Sequence, residues 1–497
     1  MEQLNVRDWL AVRTHATPEA TALRGAGPVE RELHYQEVDD RVETLSGRLA
    51  GAGVGVGDPV CVWAATRPEF VTVVHAIQRL GGVLVPLNAR LTSSEIEGRL
   101  DRIDHQVVIC ERGTEDAVLD STGRTVLSLD ESTAGASALS SVSPEPFDLP
   151  EWELDEPLAV LFTSGTTGEP KGVVLTLGNV LASATASAFR LGLRPDDCWH
   201  VPLPMYHAGG LAPIYRSVLY GTSLSLQREF DPEATRAALS SAEATTVSLV
   251  PTMLDKLLDS GPIPELRFVL LGGAPCPPEL LERAHERYVP IAPTYGMTEA
   301  ASQIATARPE EAQVAPESVG HPLMFADVTV VDETGVPREA GKPGEIVVSG
   351  AMITPGYLDD EVTNERFING GLRTGDRGYR DEAGRVHVLG RADDVIITGG
   401  ENVDPAEVSA RLREHPAVAD CAVVGVEDDQ WGQRVAALVV PGGWTAPSAA
   451  AIETHCRDRL AGYKCPRTIG FADVLPRTES GTVDTTAVAD RVASCSK

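Results

Sequence analysis

The sequence predicts an α/β protein, with a large N-terminal region of doubly wound α/β subdomains and a small α+β C-terminal domain. Three observations predict it. Short apolar runs alternate with helical periodicities along most of the chain, which is the rhythm of strand–helix–strand units. The length, 497 residues, exceeds what one hydrophobic core holds, so two or more domains are expected. An apolar fraction of 42% with 46 glycines spread along the chain belongs to an ordinary globular enzyme and not to a disordered or fibrous chain.

In order, Trp9 to Ala52 reads as helical, with Val38, Val42, Leu45 and Leu49 recurring at three- and four-residue steps. Pro59–Trp63 reads as a strand, Glu69–Leu80 as a helix with Phe70, Val73, Val74 and Ile77 on one face, and Gly81–Leu87 as the next strand. Thr92-Ser93-Ser94-Glu95 is a helix-start signal, a hydroxyl residue followed three positions later by an acid. Asp130–Asp155, rich in Ser, Ala, Glu and Pro, reads as a long surface connection. Further on, Phe268–Leu271 and the run from Ile291 read as buried strands opening into glycine turns. From Pro405, a helix at Glu407–Leu412, strands at Ala422–Val426 and Ala436–Val440 and a helix at Ile452–Leu460 make a unit of about 100 residues, a usual domain size.

The net charge of −30 argues against a nucleic-acid partner, because a carboxylate surface repels phosphate. Only five of the 42 basic residues are lysines. A GC-rich genome that replaces Lys by Arg and an adaptation to high salt both account for this balance. No run is long and apolar enough for a membrane span, and Met1–Thr21 has no signal-peptide core, so a cytoplasmic location is expected. The eight cysteines form no C-x-x-C pair, which fits reduced structural thiols and no metal cluster.

The stretch with the most chemistry is Thr163-Ser164-Gly165-Thr166-Thr167-Gly168-Glu169-Pro170-Lys171-Gly172, directly after the apolar run Leu158–Phe162. Glycines let backbone N–H groups close on an anion, the hydroxyls of Ser164, Thr166 and Thr167 donate to phosphate oxygens, and Lys171 supplies a point charge. The spacing is not that of a P-loop, G-x-x-x-x-G-K-[ST].

At these residues the chain resembles the adenylate-forming superfamily of acyl- and aryl-CoA synthetases, luciferases and peptide-synthetase adenylation domains. The resemblance covers nearly the whole chain. It implies ATP, Mg²⁺ and coenzyme A, and an AMP-forming ligation of a carboxylic acid to a thiol in two steps. His207, in Pro202-Leu203-Pro204-Met205-Tyr206-His207-Ala208-Gly209-Gly210-Leu211, is implied to lie against the acyl pocket. Gly273, Ala274 and Pro275 are implied to lie along the adenine. In Tyr295-Gly296-Met297-Thr298-Glu299, the resemblance makes Tyr295 an adenine platform, Thr298 a donor to the α-phosphate and Glu299 a ligand of Mg²⁺, with Thr166 as a second metal-side group. Asp376 is the expected ribose ligand and Arg391 its companion. Residues 1–391 and 392–497 are then the expected domains, the smaller one mobile and pivoting at Asp393, with Gly399, Gly400 and Lys464 on the CoA side.

One position departs from the family. After Leu475-Pro476-Arg477-Thr478-Glu479-Ser480-Gly481, where the family carries a lysine that bridges the acyl carboxylate and the α-phosphate, this chain has Thr482. A neutral hydroxyl cannot offset the charge that builds there. Either another cation (Lys464 or Arg477) takes over, or Lys171 and Mg²⁺ suffice, or the chain binds nucleotide and is deficient in adenylation.

The acyl pocket is expected from His207 to Leu211, Gly272–Gly273 and Gly296 to Gln303. Ser302 and Gln303 give polar groups that a fatty acid would leave unpaired. That run resembles the branch of the family acting on o-succinylbenzoate in menaquinone biosynthesis, with Arg216 a candidate partner for the second, aromatic carboxylate and a solvated helix charge equally consistent. A medium-chain fatty or aryl acid is the alternative substrate. An adenylation domain loading a carrier protein is a third reading, without a carrier domain in this chain. Expected partners are the small-molecule acid, ATP and CoA, with a homo-oligomer open and no membrane insertion.

Overall fold

The computed structural model describes residues 8–25, 31–132, 135–163, 170–391, 394, 396–398, 401–403, 405–428, 431–442, 447–457, 459–460, 462–478 and 482–494. The chain divides into two compact units. The first comprises residues 1–272, 276–328 and 348–372, and the second 273–275, 329–347 and 373–497.

Two large sheets build the first unit. The eight-stranded sheet runs, edge to edge, Gly356–Tyr357, Lys171–Thr176, Pro157–Thr163, Val83–Pro86, Pro59–Trp63, Val107–Cys110, Thr125–Ser128 and Ser137–Ala138. Its interior strands are parallel, and only the Gly356–Tyr357, Lys171–Thr176 and Pro157–Thr163 edge is antiparallel. The parallel strands are buried along their length, and Val60, Cys61, Val107, Val108 and Ile109 are fully inaccessible. Continuous apolar runs are what a sheet covered by helices on both faces demands.

The nine-stranded sheet runs His321–Pro322, Ser302–Thr306, Ile291–Met297, Phe268–Leu271, Thr246–Leu249, Cys198–Val201, Ser223–Leu226, Thr21–Leu23 and Leu33–His34. It is parallel inside and antiparallel at both edges. The helix Leu177–Leu191 touches the Lys171–Thr176 strand of one sheet and the Ser302–Thr306 strand of the other, so it links the two. It packs on the helix Ala208–Tyr220.

In the second unit, Val418–Asp428 and Gly432–Pro441 form a long antiparallel pair, extended by Ile396–Thr398, Glu401–Val403 and Thr468–Phe471. Alternation places Cys421 and Val423 against the helices Pro405–Arg413 and Ala449–Arg457, and Ala422 and Val424 against the helix Thr485–Ser494. This is the expected separate α+β unit.

Two stretches differ from the sequence expectation. The helical reading of Trp9–Ala52 is broken into the helices Trp9–Ala16 and Tyr35–Gly51 by two short strands, Thr21–Leu23 and the edge strand Leu33–His34. Pro18 forbids a continuous helix, and two- or three-residue strands are too short to show a period. The Asp130–Asp155 connection is pinned by Trp152, buried, whose Nε1 donates to the Gln78 carbonyl at 3.0 Å.

Candidate functional site

The phosphate-loop reading falls at a hairpin. Thr163 and Lys171 are paired across the antiparallel strands Pro157–Thr163 and Lys171–Thr176, and Thr163 Oγ1 donates to the Lys171 carbonyl at 3.5 Å. The sheet therefore holds both stems of the loop in fixed register. Ser164, Gly165, Thr166, Thr167, Gly168 and Glu169 lie outside the described residues. The hairpin, rather than a strand-to-helix turn, separates this loop from the P-loop geometry.

Beside this strand packs the turn Thr298–Ala300, which follows the strand Ile291–Met297. Tyr295, Gly296 and Met297 end that strand opposite Ala305, Gln303 and Ser302. A side chain at Gly296 is excluded, because its Cβ would stand 1.9 Å from the Ser302 carbonyl oxygen. Glu299, buried, has its carbonyl bonded by the Thr354 N–H at 2.7 Å. Its Oε1 accepts from the Tyr357 hydroxyl at 2.8 Å, and no hydrogen-bonding partner holds Oε2 among the described residues. A carboxylate with one oxygen anchored and the other open suits a hard cation that also needs phosphate and water oxygens. Among the described residues no group of three or more His, Cys, Asp and Glu forms a complete cage.

Ser302 and Gln303 lie on the return strand. Gln303 is buried, its Nε2 donates to Thr306 Oγ1 at 2.7 Å and its Oε1 accepts from Ser187 Oγ at 2.5 Å. The amide is thus fixed by the helix Leu177–Leu191 and by its own strand.

His207 immediately precedes the helix Ala208–Tyr220. Its N–H donates to the Pro204 carbonyl at 3.2 Å and its own carbonyl accepts from Gly210 and Leu211 at 3.0 and 2.9 Å. The turn needs Gly210, whose Cβ would stand 2.2 Å from the Pro204 oxygen. The imidazole meets Tyr206 edge-on, with ring centroids 4.7 Å apart. Burial and the Arg90 charge hold its pKa below the usual imidazole value, so the ring is neutral at pH 7. Ala208, Leu211, Ala212 and Tyr215 of the helix line a small apolar cavity with Leu161 and Ala301.

On the same helix Arg216 is 2% exposed, so it is not a solvated helix charge. Its guanidinium lies over the Trp199 ring, 4.7 Å from the centroid, and its buried Nη1 has no hydrogen-bond partner. Burial pushes it down to about 9, which leaves it charged at neutral pH. Trp199, which no sequence motif marks, is the surface on which this charge rests, and its Nε1 donates to Ser248 Oγ at 3.0 Å.

In the second unit, Asp376 and Arg391 face each other across the strands Gly371–Arg380 and Val386–Arg391. Arg391 Nη1 donates to Asp376 Oδ1 at 3.1 Å and to the Thr374 carbonyl at 3.2 Å. The expected companions are thus together. Gly273, with a left-handed φ of +79°, leads into Ala274 and Pro275. Lys464 Nζ donates to both oxygens of Glu407 at 2.8 and 2.6 Å, and Arg477 bonds Asp420 at 3.0 Å. Thr482 faces Thr478, with the two hydroxyl oxygens 2.6 Å apart. Asp393, Gly399 and Gly400 lie outside the described residues.

A hairpin with a Ser/Thr/Gly-rich loop beside a buried acid, on a two-sheet α/β scaffold, agrees with the family that the chain matches. The AMP-binding enzyme model covers residues 10–358 and the AMP-binding enzyme C-terminal domain model residues 407–482. The chain belongs to this adenylate-forming family. Among curated relatives, the 2-succinylbenzoate–CoA ligase of Bacillus cereus (strain Q1) is 38% identical over 478 residues, covering 95% of this chain and 96% of that protein. That of Geobacillus kaustophilus (strain HTA426) is 40% identical over 477 residues, 95% and 94% of the two chains. Among solved structures, o-succinylbenzoate CoA synthetase (MenE) from Bacillus subtilis with its acyl-adenylate intermediate OSB-AMP superposes with a TM-score of 0.89 at 34% identity, over 97% and 98% of the chains. ATP-bound MatB from Rhodopseudomonas palustris gives 0.90 at 28% identity, over 97% and 98%. No helix among the described residues is long and apolar enough to cross a membrane.

Proposed function

We propose that the protein is a 2-succinylbenzoate–CoA ligase. The aliphatic carboxylate of the acid attacks the α-phosphorus of ATP, pyrophosphate leaves, and the thiol of CoA then displaces AMP to give the thioester. The relatives of that name, similar over almost their entire length, support the assignment. The observation in this chain that carries it is Arg216. A buried guanidinium with an unpartnered Nη1, on the helix that His207 immediately precedes, is a costly feature unless an anion completes it. 2-Succinylbenzoate has a second carboxylate to spare for it, whereas a fatty acid or benzoate has none.

The remaining residues divide the work by position. Lys171, with the Ser164–Gly168 loop, takes the β- and γ-phosphates, and Thr298 donates to the α-phosphate. Tyr295 and the Gly273–Pro275 backbone hold the adenine, and Asp376 accepts the ribose hydroxyls while Arg391 keeps its carboxylate turned to them. His207 and Gly296 border the acyl group, and Ser302, beside the fixed Gln303, supplies polar contact to its keto and carboxylate oxygens. Magnesium, when bound, offsets phosphate charge, and Glu299 is the described residue that would hold it, with Thr166 on the loop. Catalysis of this kind is positioning and electrostatics, so no nucleophilic side chain is required.

We also read residues 1–391 and 392–497 as the two functional domains, with Asp393 as the pivot and Gly399, Gly400 and Lys464 toward CoA; the family models, which stop at 358 and resume at 407, support a border in that interval. Thr482 favours a second reading, nucleotide binding without adenylation, because its hydroxyl is engaged with Thr478 and both candidate cations, Lys464 and Arg477, are paired with acids. Incubation with ATP, Mg²⁺, 2-succinylbenzoate and free CoA, with no carrier protein, decides between them. The proposed function requires the CoA thioester by mass spectrometry; a bound nucleotide with no thioester and no AMP supports the second reading.

A further inference from the structure

Five residues that no motif reading singled out, Thr354 to Leu358, tie Glu299 to the strand that leaves the phosphate loop. Gly356–Tyr357 pairs with that strand, Gly356 opposite Val174 and Tyr357 opposite Val173, and the Leu358 N–H donates to the Gly172 carbonyl at 2.8 Å. Thr354 Oγ1 reaches the Val174 and Gly356 carbonyls at 2.5 and 2.7 Å and accepts from the Gly356 N–H at 3.0 Å. Its own N–H holds the Glu299 carbonyl. From the far side, Thr363 Oγ1 accepts from the Tyr357 N–H at 2.9 Å. The Tyr357 ring is therefore fixed at both ends of its backbone, and its hydroxyl bonds the buried Glu299 Oε1.

We infer that Tyr357 is a positioning residue for adenylation. Its hydroxyl sets the rotamer of Glu299 so that Oε2 faces outward as a cation ligand, and the Thr354–Leu358 segment locks that acid in register with Lys171. The inference rests on the reading of Glu299 as a magnesium ligand. A charged hydrogen bond of this kind is worth about tenfold or more in an equilibrium.

The test is the magnesium dependence of ATP binding by the full chain, followed calorimetrically without acid or CoA. Tyr357→Phe keeps the ring and every backbone bond, and should raise the half-saturating Mg²⁺ concentration roughly tenfold while AMP binding without metal stays as in the wild type. Glu299→Gln should raise it at least as far, and the double variant should match Glu299→Gln alone, because the hydroxyl acts only through the carboxylate. Replacing Tyr357 by 4-aminophenylalanine, which still donates, should move the value back toward wild type. A wild-type magnesium dependence in Tyr357→Phe, with Glu299→Gln shifted, overturns the inference while leaving the Glu299 reading intact. Additive effects in the double variant, or a 4-aminophenylalanine variant that behaves as Phe does, also overturn it. An unshifted Glu299→Gln removes the Glu299 reading and the inference with it.

Discussion

Replacing Arg216 by Met should make the free protein more stable and the enzyme worse, and the two effects can be sized separately. Burial pushes the guanidinium down to about 9. At about 1.4 kcal/mol per tenfold change in proton affinity, that difference from an arginine in water is worth about 5 kcal/mol. The Trp199 ring returns about 1–2 kcal/mol through its face, and imperfect refilling of the space costs about 1 kcal/mol. A net gain of about 2 kcal/mol remains, which raises the melting temperature by about 2–4 °C in a unit of this size. The folded pKa lies below the unfolded one, so the penalty is complete below pH 9 and the stabilisation does not vary between pH 6 and 8.

For the substrate, the same change leaves a carboxylate buried without its partner, about 2–4 kcal/mol, so KM for 2-succinylbenzoate should rise roughly 30- to 1000-fold. 4-Oxo-4-phenylbutanoate, the analogue without the ring carboxylate, should be used equally by wild type and variant. Differential scanning fluorimetry and AMP release measure the two arms. A variant that melts lower and keeps the wild-type KM would make Arg216 a structural residue and refute the reasoning.

Thr482→Lys should raise ATP–pyrophosphate exchange at least about tenfold, since it restores the cation that the family carries at this position; unchanged exchange means another group already supplies that charge. Gly296→Ala should cut kcat/KM at least about a hundredfold, a loss of roughly 3 kcal/mol, because its Cβ would force the Ser302 carbonyl out of the strand pair beside Glu299; steady-state AMP release reads this directly. His200, buried and bonded to Ser225 and Gln227, is pushed down to about 4. The unfolded chain therefore binds its proton first, and stability should fall by up to about 3 kcal/mol as pH drops from 6.5 to 4, then level off; melting curves across that range check it. Arg90→Ala removes the charge that helps keep His207 neutral, so any acid limb of the kcat/KM profile carried by His207 should move to higher pH.

Much of this was legible in the residues, for physical reasons. Pro59–Trp63 appears as a strand at its expected bounds because a buried parallel strand leaves an unbroken apolar run. The Thr92–Glu95 signal became a capping box on the helix Ser93–Leu100. Asp376 and Arg391 were read as companions and are bonded. The rest depended on long-range contacts that leave no local trace. Trp199 and Arg216 are 17 positions apart on different elements, and their charges and areas say nothing of their contact until the helix lies on the sheet. Tyr357 and Glu299 meet only because a two-residue strand pairs with the phosphate-loop strand, and a two-residue strand has no periodicity to read.

The measurement that tests the central claim most directly is AMP release from ATP, Mg²⁺ and CoA with 2-succinylbenzoate, octanoate and benzoate as parallel acids. The account predicts turnover with 2-succinylbenzoate at least about a hundredfold above the other two in kcat/KM, since only that acid gives Arg216 a carboxylate. Equal or greater turnover with octanoate or benzoate would contradict it.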